Sequence, residues 1–178
     1  MSYGNNQVFG NDVNVLDTTQ LYPLGTTRTV LASQTNKGDQ VWRYVVNAGA
    51  AAWTEGQIVL AVAATAQNLG TGQTATATAS LARNRILGVA QTYVTSAGVT
   101  STFSVGAYGW VLMLGEGSIL NDSAGTLAAD TSFASSSAVA GSVEASANSG
   151  IGANATIGVT HVSIAASTVG SAYIVCRP

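Results

Sequence analysis

The sequence predicts an all-β protein, a β-sandwich or β-barrel of jelly-roll-like form, preceded by an extended N-terminal arm. Three observations carry that reading. Short runs rich in Val, Thr, Ile and aromatics are separated by clusters of Gly, Asn and Ser. No segment places apolar residues at helical spacing over several turns with a cap at each end. Charged residues make up 8% of the chain and apolar ones 47%, the reverse of the balance that keeps a chain disordered. At 178 residues the chain is long enough to bury a full core without disulfides or metals.

Residues 1–25 form the predicted arm and residues 26–178 the predicted domain. The arm, containing "SYGNNQVFGNDVNVLDTTQLYPLG", scatters Val8, Phe9, Val13, Val15, Leu16, Leu21, Tyr22 and Leu24 with no long alternation. Unattached termini rarely keep such side chains exposed, so the arm is expected to be docked on something. Phe9, Val13, Val15, Leu16, Leu21 and Tyr22 are therefore candidate contacts to a neighbouring protein or subunit.

Strands are predicted in order at Thr26–Ala32, Gln40–Val46, Gln57–Ala63, Thr74–Ser80, Ile86–Val94, Thr100–Val105, Gly109–Leu114, Ala155–Val162 and Ala172–Arg177. The first two flank "SQTNKGD", whose Asn-Lys-Gly-Asp suits a tight reversal, so they read as a hairpin. On the second, "QVWRYVV", period two puts Trp42, Tyr44 and Val46 on one face and Val41, Arg43 and Val45 on the other. Trp42 and Tyr44, with Trp110 further on, are the predicted core aromatics, because burying one indole removes on the order of 200 Å² from water. Arg43 is then expected to face outward, to a rim or a neighbour. The strict Thr/Ala alternation of "TATATAS" reads as a strand with too little bulk to fill a thick core. The low-complexity stretch 132–156 is read as short strands with wide loops, and a short helical turn is allowed near Ser123–Asp130.

Chemistry is sparse. The chain has one histidine, His161, and one cysteine, Cys176, so neither a zinc set nor an intramolecular disulfide is available. No Gly-x-Ser-x-Gly elbow and no phosphate-binding Gly-rich loop with Lys-Ser/Thr is present. The eight carboxylates neither reveal nor exclude a facing pair of the glycosidase kind, and "NDSAGTLAAD" matches an EF-hand poorly. No catalytic residue, cofactor or metal is predicted. The six basic residues are scattered around a net charge of −2, unlike the dense patch that nucleic acid requires. Neither a secretion signal nor an apolar run long enough for a bilayer is visible, so no membrane partner is expected.

Two segments resemble a known family. "LYPLGTTRTVLASQTNKGDQVWRYVVNAGAAAWTEGQIVLA" (21–61) is similar to a recurring stretch of small tailed-phage head proteins: Pro-Leu-Gly-Thr, a hairpin, an Arg-Tyr-Val strand and a Gly-x-x-Val strand. "RILGVAQTYVTSAGVTSTFSVGAYGWVLMLGEG" (85–117) resembles their Gly-Val-Ala strand and the following Tyr-Gly-Trp-Val strand, here Tyr108 to Val111. The family is the capsid decoration, or cement, protein. The resemblance implies a structural role on the outer surface of an HK97-type phage head, with the major capsid protein as partner, self-association as a homotrimer and a virion location after synthesis in the host cytoplasm. The longer, Asn-rich N-terminus departs from the pattern and leaves the arm's target open. The rival expectation is a tail-fibre or host-binding adhesin domain, which shares the all-β, charge-poor composition but usually carries long internal repeats, absent here. A head–tail joining protein is a further alternative.

Overall fold

The computed structural model describes residues 13–32, 37–62, 70–74, 86–95, 98–122, 125–146 and 156–176. Among them are fourteen strands and no α-helix, so the chain is all-β. The strands are β1 (Thr27–Val30), β2 (Gln40–Asn47), β3 (Trp53–Thr54), β4 (Ile58–Ala61), β5 (Thr71–Thr74), β6 (Ile86–Val89), β7 (Tyr93–Thr95), β8 (Gly98–Thr100), β9 (Thr102–Phe103), β10 (Tyr108–Leu120), β11 (Ser132–Ser135), β12 (Val143–Ala145), β13 (Gly158–Thr160) and β14 (Val169–Val175).

Strand β10 is the spine. Its first half pairs antiparallel with β2 from Tyr108↔Val46 to Leu114↔Val41, with a bulge at Met113. Its second half pairs with β14 from Leu114↔Val175 to Leu120↔Val169. On its other edge Leu112 meets Val89 of β6. From β6 the pairing runs through β4 and β5 back to β2, where β5 lies parallel. The ring β2–β10–β6–β4–β5 is therefore closed, while β14, β13, β11 and β12 extend as an open flank and β1 borders β2. Closure removes most of the free edges that would invite pairing with other chains.

Two apolar layers follow from the pleat of these strands. One holds Trp42, Tyr44, Ile58, Leu60, Ile86, Trp110 and Leu112, and it continues beneath the open flank to Phe133, Ile157, Ile164 and Ile174. The other, on the opposite side of the same strands, holds Val45, Val59, Leu87 and Val111 beneath Trp53, Tyr93 and Phe103. A five-stranded ring has room inside only for side chains. The small β3–β9 and β7–β8 sheets that supply those aromatics thus cover its outside.

Glycines make the close crossings feasible. At Gly56, with φ +83°, a Cβ would sit 2.5 Å from Leu120 N. At Gly115, with φ +114°, it would sit 2.7 Å from Asp39 O. Gly115 therefore marks close packing inside a continuing strand, so β10 runs six residues past the predicted end at Leu114. The predicted Ile86–Val94 strand divides instead into β6 and β7, with the chain turning at Ala90–Thr92. The Thr/Ala alternation from Ala75 to Ser80 lies outside the described residues.

Candidate interaction surfaces

The described part of the predicted arm, from Val13 onward, packs on the chain's own strands. Leu16 N donates to Val94 O at 3.4 Å, and Val15 bridges Val94 in parallel. Asp17 and Tyr108 exchange both backbone hydrogen bonds, at 2.9 and 2.8 Å. Residues 15–17 thereby lie between β7 and the start of β10. Val13 is buried in the first apolar layer and Leu16 packs against the second. Gly109 makes room for Leu16, since a Cβ there would meet the Leu16 side chain at 2.7 Å.

The next stretch seals the ring. Leu21 N donates to Tyr44 Oη at 3.1 Å and Gly25 N to Tyr44 O at 2.9 Å. The Tyr22 ring stands 5.1 Å from Tyr44 and 5.4 Å from Trp110, whose own ring centroids are 5.1 Å apart. Trp42, Tyr44 and Trp110 are all buried. The burial of Tyr44 raises its phenol pKa above the ordinary value.

The arm residues expected to touch a neighbouring protein or subunit meet, in part, the chain's own domain. Val13 is buried in the chain's own core, and Leu16 and Tyr22, partly buried, pack against it. Val15 is half-buried at its bridge, while Leu21 stays 49% exposed and available to a partner. Phe9 lies outside the described residues.

Arg43 requires a second correction. Period two places it opposite Trp42 and Tyr44, and it does sit across from Val111 and beside Val45. That face is not wet. Val45 and Val111 are fully buried beneath the outer aromatics, and Arg43 itself is only 4% exposed. Its Nε and Nη1 are buried without hydrogen-bond partners. Burial pulls the guanidinium pKa below its usual value, although arginine keeps its proton at any ordinary pH.

Sequence reading missed a buried polar group under the open flank. Asn121, Asp122 and Glu144 are 1, 2 and 6% exposed and line a cleft of about 50 Å³. Asp122 Oδ2 accepts from Ser136 Oγ at 2.7 Å, and Glu144 Oε1 accepts from Ser137 N at 2.9 Å. Asn121 Nδ2 donates to the carbonyls of Gly125, Ile164 and Ala165. Pockets for small ligands usually span roughly 300–1,000 Å³, so this cleft suits a water better than a sugar or nucleotide. Its polar atoms hold the 136–142 turn and bind Asn121 to the backbone at Gly125, Ile164 and Ala165. The one advance signal was Asn-Asp-Ser at the end of an apolar strand.

Among the described residues no three His, Cys, Asp or Glu side chains come together as a metal set. His161 is exposed, with its ring 6.4 Å from Tyr173. With Val159, Val162 and Tyr173 it forms a partly apolar strip on the open flank. No family model, curated protein or solved structure matches this chain.

Proposed function

We propose that this protein is a structural component of a phage virion, binding the outer surface of an HK97-type head and stabilising the filled shell. The observation that carries the reading is where the two family-like segments meet. Residues 21–61 supply β1 to β4 and residues 85–117 supply β6 to β9 with most of β10. They are far apart in sequence, yet they form four of the five strands of the closed ring and join through the Tyr22–Tyr44–Trp110 group. Motifs that resemble one family at two separate places thus belong to one structural unit.

The proposed partners are the major capsid protein and two further copies of this chain, with no cofactor. The mechanism is mass action. A protein that binds only the assembled shell stabilises it by RT ln(1 + [L]/Kd) at each site, repeated across the surface. A closed ring with a covered exterior suits that task, since it resists deformation and presents few free edges. Leu21 and the strip of Val159, Val162 and Tyr173 offer exposed apolar area for contact. Counting copies per particle by quantitative mass spectrometry tests the reading. Decoration requires a copy number matching the many equivalent positions of the shell, whereas a count matching the tail fibres, with binding to host cells, would overturn it in favour of an adhesin.

A further inference from the structure

The small cleft under the open flank is lined by oxygens that the chain leaves without donors. Asn121 and Glu144 both line it, and both side chains are almost fully buried. The Asn121 amide is oriented by its Nδ2, which donates to the carbonyls of Gly125, Ile164 and Ala165. Its Oδ1 stands at the other end of the amide, and none of the described residues donates to it. Glu144 engages Oε1 with Ser137 N at 2.9 Å, and its Oε2 likewise has no donor among the described residues. Asp122, equally buried, adds a second carboxylate, and no Lys, Arg or His lines the cleft. A buried oxygen without a donor costs free energy, and a buried anion without a counter-charge costs more. One cation in the cleft removes both costs.

We propose that this cleft binds one calcium ion, held by Asn121 Oδ1, Glu144 Oε2 and the Asp122 carboxylate. The donor set is all oxygen, two carboxylates and a neutral amide, which is the set a hard divalent cation takes. A space of about 50 Å³ holds a single ion with a water or two to complete its coordination. Magnesium fits less well, because it demands near-octahedral geometry and keeps several waters, for which the cleft has no room. Placement gives the ion a structural task. Asn121 and Asp122 directly follow β10, the spine, whereas Glu144 belongs to β12, the last strand of the open flank. The backbone already joins them, through Asp122 N to Val143 O at 2.9 Å and the Asn121–Val143 bridge. A shared ion adds a second tie, drawing the flank's edge strand onto the end of the spine.

The site goes beyond the capsid reading and does not depend on it. Calorimetric titration of the full chain with calcium chloride, with thermal melts in calcium and in EGTA, tests it. Two carboxylates and an amide place the affinity among weaker calcium sites, about 0.1–1 mM, so the titration runs to about 10 mM. The wild type should take up one ion per chain, and its Tm should climb as calcium is raised. Glu144→Gln keeps an oxygen for Ser137 N but loses the charge. It should bind calcium at least tenfold more weakly, and it should melt in EGTA no lower than the wild type. Asp122→Asn, which keeps an oxygen for Ser136, carries the same expectation and guards against a single variant that fails to fold. A wild type that shows neither heat nor a rise in Tm at about 10 mM calcium would overturn the proposal. Wild-type affinity in either folded variant would do the same, as would an equal rise in Tm with magnesium.

Discussion

Replacing Gly56 by alanine tests how the ring is tied to the open flank. Gly56 lies between β3 and β4, donates to Ala90 O at 2.8 Å and accepts from Leu120 N at 2.9 Å. A Cβ would stand 2.5 Å from Leu120 N and 2.6 Å from Ile119 C, both backbone atoms of β10. Two costs add. The left-handed φ of +83° costs a non-glycine residue about 1–2 kcal/mol. Pushing β10 away to relieve the collision breaks at least one buried backbone hydrogen bond, at about 1–3 kcal/mol when its groups stay buried. The sum is about 2–5 kcal/mol, which lowers Tm by about 4–20 °C for a chain of this size. Gly38→Ala is the control: its φ is +76°, but nothing lies within 4 Å of the added carbon. It should show the torsional cost alone, about 1–2 kcal/mol. Calorimetry on both variants decides. Equal losses of Tm would refute the close crossing of the β3–β4 turn and β10.

Three further outcomes follow from the same contacts. Removing residues 1–19 strips Val13 and Leu16 from the two apolar layers and should cost about 2–4 kcal/mol by urea denaturation, after allowing for the entropy the segment regains; unchanged stability would mean the arm does not dock on its own domain. Asn121→Ala leaves three carbonyls without their donor and should cost roughly 2–4 kcal/mol, read as a shift in the urea midpoint at constant slope. Tyr93 is fully buried, donates to Trp110 O and accepts from Gln91 N, and burial raises its phenol pKa far above the usual value. With a folded pKa above the unfolded one, its stability contribution is complete below pH of about 10 and is lost as pH rises further, because only the unfolded chain releases the proton readily. Alkaline melts should therefore fall more steeply for the wild type than for Tyr93→Phe.

How much of this was legible in the sequence differs from element to element. The alternation of "QVWRYVV" was enough to separate Trp42 and Tyr44 from Arg43, because a strand's two faces are set by period two alone. That Val45 and Val111, on the same face as Arg43, are covered was not legible, since they pack with Trp53, Tyr93 and Phe103, far along the chain. The second half of β10 was hidden by Gly115 and Gly117, which resemble turn residues but serve close approach to Asp39, Gln40 and Gln91. The arm's apolar content announced that it docks, but its address depends on the gap between β7 and β10, which exists only after the ring closes. Asp122 and Glu144 sit in the small-residue stretches before β11 and within β12, where their burial depends on the 136–142 turn folding over them.

The proposed place of this protein is the outside of a phage head. Cryo-electron reconstruction of the virions that the proposal implies, made with and without the gene for this chain, tests it most directly. The account predicts ordered density on the outer shell at symmetry-related positions, present only with the gene and fitting the ring with its open flank. Identical shells in the two preparations, or gene-dependent density confined to the tail, would contradict it.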